Sequence, residues 1–314
     1  MKDLPGKRVC VIGLGESGRA AIDLLLTKGV NVTPVDSAES AELIEYAAAM
    51  SERGIECHLG HNRVLFDDFD LAVVSPGVPL DQSLIVSLQK HGVPIWSELE
   101  LGWRESNCLA IAITGTNGKT TCGFLLAQAL DRLGRRSAFI GTIGSGLIEQ
   151  LEPNHLTTPD AIELQHTLAD FVDRDANSVC MEVSSHALSQ HRVEGIEFDV
   201  ALFTNLSRDH LDYHQDMSAY VNAKLMLFRR TSLSVAVINH DDPHESMVSK
   251  AIESARIWTY GVREGADIYP LSVDSSFAGL YLRLATPAGE MKLRTSLFGQ
   301  VNVPNVAAVV ATLL

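Results

Sequence analysis

The chain has 314 residues, 46% hydrophobic and 20% charged, a balance typical of globular proteins with two domains or three small ones. Its formal net charge of −14 argues against nucleic-acid binding, because nucleic-acid-binding proteins carry a basic face. No apolar run reaches the roughly 18 residues of a membrane span, and the N-terminus has no signal-peptide core. We therefore expect a cytoplasmic protein without membrane insertion. Its oligomeric state is not fixed by these patterns, and a monomer is the simplest expectation.

The N-terminal region, residues 1–106, alternates short apolar strands with helices. Strands are predicted at Arg8–Ile12, Val30–Val35 and Leu71–Val74, with a helix over Ala20–Lys28. This βαβ rhythm predicts a parallel sheet with helices on its faces, as in Rossmann-like domains.

A second α/β unit, residues 107–314, begins with the uninterrupted apolar strand Leu109–Ile113, which is typical of a strand buried on both faces. Alternating apolar and polar residues over Ile268–Leu297 predict an antiparallel excursion. The chain stops inside the apolar helix Val306–Leu314 without a C-cap glycine, which predicts a truncated chain or an end chosen between domains. Three further buried strands are expected at Val179–Val183, Val200–Thr204 and Val235–Asn239.

The strongest local signal is a glycine-containing loop between the buried strand at Leu109–Ile113 and a predicted helix. Nucleoside triphosphates bind where backbone N–H groups of such a loop and of a helix N-terminus converge. Lys119 would reach the β- and γ-phosphates, and the hydroxyl of Thr120 would face Mg²⁺. The spacing is shorter than the Walker A pattern and matches only its G-K-[ST] end. The loop comprises Gly115, Thr116, Asn117, Gly118, Lys119, Thr120 and Thr121.

A second glycine turn, Gly13–Gly18, follows the first strand and fits G-x-G-x-x-G, with Asp36 about 20 residues further on. Taken alone, this pattern would indicate an NAD-dependent dehydrogenase, but it is weak. Physically it predicts only that a diphosphate or similar anion binds at this helix N-terminus, with Asp36 near a sugar or base.

Polar residues at the ends of the buried strands of the second unit predict a metal-assisted phosphoryl-transfer site. Glu182 and His210 could supply the few protein ligands that Mg²⁺ takes beside phosphate oxygens and water. For His191, Asp212 and His214 a solvated or capping role is the better interpretation. A zinc site at His210 and His214 lacks the glutamate of H-E-x-x-H. Lys224 lies in a helical pattern, where spacing alone predicts a solvated side chain.

Together these segments resemble the Mur ligases, which add amino acids to UDP-N-acetylmuramic acid. The phosphate loop, the segments Leu156–Asp160, Met181–Leu188, Asn205–His214 and Tyr220–Phe228, and the closing Gly299–Ala308 resemble the MurE type, which adds a diamino acid. The first unit, with Val11–Gly18, Asp36-Ser37 and Val74–Asp81, resembles the MurD type, which adds D-glutamate. The resemblance thus draws on two members of the family.

The resemblance implies a function for residues that spacing left open. ATP and Mg²⁺ would activate the carboxylate of a UDP-N-acetylmuramoyl-peptide as an acyl phosphate, which the amine of an incoming amino acid then attacks. Lys224 matches a lysine that carries a carbamate and helps to hold Mg²⁺, together with Thr120, Glu182 and His210. Asn302 would contact adenine. The acceptor would be held by Thr157, Thr158, Ser184, Gln190 and Arg192, and its uridine diphosphate by Gly15, Glu16, Ser17, Asp36, Ser37 and Ser75.

Two acceptors stay open at this point. MurE-type chemistry uses UDP-MurNAc-L-Ala-D-Glu and a diamino acid, whereas MurD-type chemistry adds D-glutamate to UDP-MurNAc-L-Ala. The family's amino-acid-binding third domain has no counterpart in the 314 residues, so a non-catalytic nucleotide-binding module is a further alternative. The related folylpolyglutamate synthetases share a similar phosphate loop, but the MurD-like first unit does not fit them.

Overall fold

The computed structural model describes residues 4–60, 69–75, 77–79, 81–105 and 108–314, and the chain divides into two compact units, Met1–Ser106 and Asn107–Leu314. The domain boundary predicted after residue 106 lies outside the described residues, as do Pro76 and Leu80 of the MurD-like segment. None of the described helices combines the length and apolarity that a membrane-spanning segment requires.

In the first unit, the described residues form one parallel sheet in the strand order β3-β2-β1-β4-β5. Successive side chains of β1 point to opposite faces, so Val9 and Val11 belong to one core and Cys10 and Ile12 to the other. Chain order reverses between β1 and β4, which opens a crevice at their carboxyl ends. The elements are β1 (Arg8–Ile12), α1 (Glu16–Thr27), β2 (Asn31–Asp36), α2 (Ala41–Glu52), β3 (His58–Leu59), β4 (Leu71–Val74), α3 (Ser83–Lys90), β5 (Ile95–Ser97) and α4 (Glu98–Glu105).

The second unit is built around a sheet whose described strands run in the order β13-β12-β11-β6-β10-β7-β8-β9. The strands from β13 to β7 are parallel, and β8 and β9 extend the sheet antiparallel. The elements are β6 (Leu109–Thr114), α5 (Lys119–Arg132), β7 (Ser137–Gly141), β8 (Gly144–Leu147), β9 (Gln150–Glu152), α6 (Ala161–Asp173), β10 (Ser178–Glu182), α7 (Ser185–Ser189), β11 (Val200–Phe203), α8 (Leu211–His214), α9 (Met217–Phe228), β12 (Val235–Asn239), α10 (Glu245–Lys250), β13 (Arg256–Tyr260), β14 (Tyr269–Ser276), β15 (Gly279–Thr286), β16 (Gly289–Thr295), a 3₁₀ turn (Gln300–Asn302) and α11 (Val303–Leu313).

The order of the central strands positions the site. β6 lies between β10 and β11, so the segments that follow these three strands meet at one edge of the sheet. The predicted antiparallel excursion is confirmed as the three-stranded sheet β14-β15-β16, whose Leu280, Leu282 and Leu284 join the same hydrophobic core as α5 and α11. The predicted α/β fold is therefore confirmed.

Helix α1 begins at Glu16, four residues before the predicted start at Ala20, so the predicted boundary was wrong. Gly18 was assigned to the turn but lies within the first turn of the helix. A Cβ atom at Gly18 would lie 1.9 Å from the carbonyl oxygen of Gly13. The glycine is therefore required by the close approach of two backbone segments and does not mark a break in the helix.

Candidate functional site

The phosphate loop joins the buried end of β6 to the first residue of α5, as predicted. Gly115 (φ 146°) and Gly118 (φ 85°) both adopt backbone conformations that favour glycine. A Cβ atom would lie 1.9 Å from Thr204 Oγ1 at the first position and 2.6 Å from Asn305 Oδ1 at the second. Both glycines are thus needed for this loop to pack against its neighbours.

The segment after β11 holds the loop in place. The side-chain oxygen of Asn205 accepts the Asn117 N–H at 2.9 Å, and its amide nitrogen donates to the Asn117 carbonyl at 3.0 Å. The Thr116 hydroxyl lies 2.9 Å from the Ser207 nitrogen, whose N–H it accepts, and 3.1 Å from the Tyr220 hydroxyl. Because Asn117 donates its N–H to Asn205, the N–H groups at the start of α5 are the ones left for phosphate oxygens.

Two lysines converge on one carbonyl of this loop. Lys119 Nζ donates to the Gly115 oxygen at 3.0 Å and to the Thr116 oxygen at 2.9 Å, and Lys224 Nζ donates to the same Gly115 oxygen at 2.9 Å. Lys224 is only 2% exposed, so its predicted solvated position was wrong. The prediction from spacing failed because helix α9 has no single solvent-exposed face. Tyr220, Leu225 and Phe228, which lie on different faces of the helix, are all buried.

Burial shapes the charge of both lysines. Desolvation lowers the pKa of Lys119, while the carboxylates of Glu182 and Asp209 oppose this effect. For Lys224, burial and then the nearby charge of Lys119 lower the pKa well below its usual value. A buried lysine with a lowered pKa can be a neutral nucleophilic amine, which is the form that reacts with CO₂ to give a carbamate.

A buried carboxylate faces the start of helix α5. Glu182, at the end of β10, is fully buried, and its Oε2 accepts the Thr120 hydroxyl at 3.0 Å. Thr142 donates its N–H to Oε1 at 2.8 Å and its hydroxyl to Oε2 at 3.3 Å. Oxygen donors at this position suit Mg²⁺, which takes few protein ligands together with phosphate and water oxygens. Thr120 and Glu182 therefore fit the predicted Mg²⁺ site.

The described residues contain no group of three or more His, Cys, Asp or Glu side chains able to hold a metal by itself. His210 has a left-handed backbone (φ 52°) and precedes α8, and its ring is half-exposed beside Asp209, with the nitrogen and a carboxylate oxygen 3.6 Å apart. Its role as a ligand stays a prediction.

The residues predicted to hold the acceptor form a connected hydrogen-bond system that begins at the backbone carbonyl of Glu182. The Thr158 hydroxyl donates to the Glu182 carbonyl at 2.8 Å and accepts the Ser184 N–H at 3.1 Å. Arg192 donates Nη1 to the Thr158 carbonyl at 2.9 Å, and its Nε and Nη2 both donate to the side-chain oxygen of Gln190. Thr157 shares a hydrogen bond with the Thr142 hydroxyl at 3.1 Å.

Rings from α7, α8 and α9 pack together beside these groups. His186 lies 5.0 Å from His210 and 4.1 Å from Tyr213, measured between ring centroids. Burial, and then the neighbouring His210 charge, lower the pKa of His186. His214 is buried, and its Nε2 lies 2.8 Å from the Ser185 hydroxyl, so the solvated or capping role predicted for it was wrong. Burial and the His186 charge lower its pKa as well.

Many of the residues described above line one cavity of about 470 Å³. Gly115, Thr121, Gln190, Lys224 and Asn302 are not part of its lining. Leu156, Thr142 and His186 do line it, although the sequence analysis assigned them no role. Leu156 and His186 lie in the MurE-like segments, whereas Thr142 lies outside every segment that the sequence analysis singled out. The lining consists of Thr116, Asn117, Gly118, Lys119, Thr120, Thr142, Leu156, Thr157, Thr158, Glu182, Ser184, His186, Arg192 and His210.

Asn302 is linked to the phosphate loop by Asn305, which contacts both. Its Oδ1 accepts the side-chain N–H of Asn305 at 3.0 Å, and Asn305 Oδ1 is the atom that a Cβ at Gly118 would meet. The predicted contact of Asn302 with adenine is compatible with this position and stays a prediction.

In the first unit, the glycine turn leaves Gly15, Glu16 and Ser17 exposed at the N-terminus of α1. Asp36 accepts the N–H of Leu14 at 2.7 Å and that of Ala38 at 2.8 Å, and Ser37 is exposed beside it. Ser75 is buried under the turn, where its hydroxyl contacts the Gly13 carbonyl at 3.0 Å and the carboxylate of Glu98. Asp36 and Ser75 therefore shape the turn from within.

Comparison with known families follows the same division. The model of the Mur ligase middle domain matches residues 113–313, and that of the MurD-like N-terminal domain of Mur ligases matches residues 7–97. The chain belongs to the Mur ligase family. The first unit matches the MurD-like type that its sequence resembled, and the second matches the family's middle domain.

Curated relatives named UDP-N-acetylmuramoyl-L-alanyl-D-glutamate--2,6-diaminopimelate ligase are similar to this Mur ligase chain. The protein from Chromobacterium violaceum is 45% identical over 68% of this chain and 43% of its own length. The protein from Geobacillus kaustophilus is 36% identical over 91% of this chain and 55% of its own length. The chain thus spans about half the length of the curated relatives it matches.

A solved structure of an enzyme with that same name covers 90% of this chain and 56% of its own length, with a TM-score of 0.65 and 29% identity. MurF from Acinetobacter baumannii has a TM-score of 0.57 at 18% identity, covering 99% of this chain and 57% of its own length, and supports the fold alone.

Proposed function

We propose that this chain is the acceptor- and ATP-binding part of a MurE-type ligase of cytoplasmic peptidoglycan-precursor synthesis. The acceptor would be UDP-MurNAc-L-Ala-D-Glu and the incoming substrate a diamino acid. The observation that carries the proposal is that residues 116–120 of the phosphate loop line the same cavity as Thr157, Thr158, Ser184 and Arg192. A γ-phosphate and an acceptor carboxylate can meet there without leaving the cavity.

The chemistry follows from this juxtaposition. A carboxylate oxygen of the acceptor attacks the γ-phosphorus of ATP, the bond to ADP breaks, and an acyl phosphate forms. The amine of the incoming amino acid then attacks the acyl carbon, and inorganic phosphate leaves as the amide forms. Positioning and neutralisation of charge are the main demands on the protein in such a transfer.

Individual residues meet these demands. Lys119 and the N–H groups at the start of α5 would bind the phosphates, and Arg192 would orient the acceptor carboxylate. Thr120 and Glu182, with His210 and a carbamylated Lys224, would hold Mg²⁺, which when bound neutralises charge on the phosphate oxygens. Asn302 would contact adenine. In the first unit, the exposed start of α1 would bind the uridine diphosphate, with Asp36 and Ser75 supporting the turn.

A MurD-type reaction on UDP-MurNAc-L-Ala is the second candidate. It is favoured by the match of residues 7–97 to the MurD-like N-terminal domain. We prefer the MurE type because relatives 45–47% identical over 65–68% of this chain are named as the ligase that adds 2,6-diaminopimelate.

Calorimetric titration of the purified chain separates these candidates. Each UDP-muramoyl acceptor would be titrated with a non-hydrolysable ATP analogue and Mg²⁺ present, and Arg192→Lys would serve as a variant that keeps the charge but loses the planar fork. We expect tighter binding of the dipeptide-bearing acceptor and weaker binding by the variant. Preference for the L-Ala-bearing acceptor would replace the MurE-type proposal with the MurD type, and binding of neither would overturn both.

A further inference from the structure

We propose that Tyr213 is a positioning residue for the acceptor, because its hydroxyl fixes the side-chain amide of Gln190, which in turn fixes the guanidinium of Arg192. The inference rests on the proposed function, in which Arg192 binds the acceptor carboxylate. Tyr213 is not part of the cavity lining and acts through its neighbours.

The orientation of the Gln190 amide follows from the chemistry of its partners. Arg192 has only N–H donors, so the atom of Gln190 that faces it must be the oxygen. That oxygen accepts two hydrogen bonds from Arg192, one from Nε at 2.8 Å and one from Nη2. The amide nitrogen then points the other way and donates to the Tyr213 hydroxyl at 3.0 Å. With this acceptor removed, the amide keeps its contact with Arg192 but loses the hydrogen bond that holds its other end.

The Tyr213 hydroxyl oxygen accepts two hydrogen bonds. The hydroxyl of Ser189, which lies 3.1 Å from the His186 carbonyl, donates to it at 3.2 Å, and the amide nitrogen of Gln190 donates to it at 3.0 Å. The phenol oxygen is thus held between two neighbours of α7, and the hydrogen bonds continue from it through Gln190 to Arg192. Hydrogen bonds linked in this way are mutually reinforcing.

The consequence for Arg192 is a fixed guanidinium plane. Of its five N–H groups, two bind Gln190 and one binds the Thr158 carbonyl at 2.9 Å. The two that remain, one on each terminal nitrogen, are available to a carboxylate on the cavity side. A guanidinium anchored in this way loses less rotational freedom when it binds its ligand, which raises affinity.

The placement of Tyr213 supports a positioning role. It lies on the short helix α8, between two residues with left-handed backbone, His210 (φ 52°) and Gln215 (φ 64°). Its ring packs 4.1 Å from that of His186, centroid to centroid. The ring contact is independent of the hydroxyl, so Tyr213→Phe removes the hydrogen bonds and leaves the packing in place.

The test compares wild type, Tyr213→Phe and Tyr281→Phe by calorimetry with the dipeptide-bearing acceptor and with its analogue in which the terminal carboxylate is an amide. Tyr281, a half-exposed tyrosine of the sheet β14-β15-β16, is the matched control. We expect Tyr213→Phe to weaken binding of the acid about 10-fold and of the amide about 2-fold, because hydrogen bonds that involve a charged group contribute more than those between neutral groups. ATP-analogue affinity and Tm should match those of Tyr281→Phe.

A double variant isolates the route through Arg192. In the Arg192→Lys background, Tyr213→Phe should change acid binding by less than about 2-fold, because the group that it positions is gone. Equal weakening of acid and amide, or full additivity with Arg192→Lys, would overturn the inference. If the wild type binds neither acceptor, the proposed function fails, whereas wild-type binding that Tyr213→Phe leaves unchanged refutes only the role of Tyr213.

Discussion

The chain contains two loops of the same local design, each a glycine turn between a buried strand and a helix. In the first, Gly13–Gly18, the carboxylate of Asp36 already accepts the Leu14 N–H, and Glu16 places an acidic side chain in the first turn of α1. In the second, Gly115–Gly118, the first turn of α5 has no acidic residue, and two lysines lie on the Gly115 carbonyl.

A glycine turn thus specifies the geometry of the backbone, and the neighbouring charges decide which anion it can hold. A helix N-terminus favours an anion, but an acidic side chain in the same turn competes for that position. Under the proposed function, the first turn would hold a diphosphate that is anchored mainly by the rest of its ligand, and the second would hold a triphosphate.

The largest effect should come from removing the lysine that distinguishes the second loop. We expect Lys119→Met to weaken binding of a non-hydrolysable ATP analogue about 100-fold, or ~2.7 kcal/mol, a typical cost for lost hydrogen bonds to a charged group. UDP binding should be unchanged in calorimetry. Lys250→Met, at an exposed lysine, controls for the loss of one positive charge. Equal loss of affinity for the ATP analogue and for UDP in Lys119→Met would contradict the distinction between the two loops.

Steric demands of the loop can be separated from its backbone conformation. Gly118 and Gly134 share a φ of 85°, but a Cβ at Gly118 meets Asn305, and a Cβ at Gly134 meets nothing within 4 Å. We expect Gly134→Ala to lower stability by about 1–2 kcal/mol through the left-handed conformation alone. Gly118→Ala should cost more, because Asn305 must break its hydrogen bond to Asn302, and should weaken ATP-analogue binding about 10-fold.

Denaturant melts and calorimetry on the two alanine variants provide the measurement. Equal loss of stability, with equal nucleotide affinity, would mean that Asn305 moves aside freely and that the loop tolerates a side chain at this position.

The first turn offers a smaller effect. Asp36→Asn keeps the shape but removes the charge that holds the N–H groups of Leu14 and Ala38, so the turn should loosen. We expect about 3-fold weaker UDP binding, within the ~0.5–1.5 kcal/mol of a typical hydrogen bond, and unchanged ATP-analogue binding. Asp23→Asn, on the exposed side of α1, controls for net charge. A stronger effect on ATP than on UDP would contradict the assignment of the two loops.

The smallest expected effect is a change in how the stability of the fold depends on pH. The pKa of Lys224 is lowered by burial, so between that value and the ordinary 10.5 the unfolded chain binds more protons than the folded one. Stability of the wild type should therefore rise with pH in this window, and below it the full cost of burying the charge is present. Lys224→Met removes that cost and should raise Tm most at neutral pH in CO₂-free buffer. A difference in Tm that is constant across pH 7–10 would show that the charge is not the cause.

Local patterns predicted the strands well. Leu71–Val74 and Val235–Asn239 have the predicted bounds, because a short apolar run between polar residues can be buried only as a central strand of a sheet covered on both faces. The start of α1 was predicted wrongly because of Gly18. In the sequence, a glycine that forms a turn cannot be distinguished from one that lets two backbone segments approach closely.

The burial of individual polar side chains was beyond such patterns. Lys224 and His214 were interpreted as solvated, yet both are buried. The rings of His186 and Tyr220 pack against His214, and Lys224 reaches the Gly115 carbonyl, which is far away in sequence. The shorter hydrogen bond of Thr142 to Glu182 comes from its backbone N–H, a group that every residue except proline has and that no sequence pattern distinguishes; its hydroxyl adds a longer one.

The sequence by itself determined the order of strands and helices and the phosphate loop, since each depends on residues close together along the chain. Its motifs also indicated the family, and comparison confirmed it. Only the tertiary structure decided which side chains share the cavity, which carbonyl receives both lysines, and how Tyr213 reaches Arg192 through Gln190. Those relations depend on the order of β10, β6 and β11 in the sheet, which joins segments far apart in sequence, and burial there sets the charges on which binding depends.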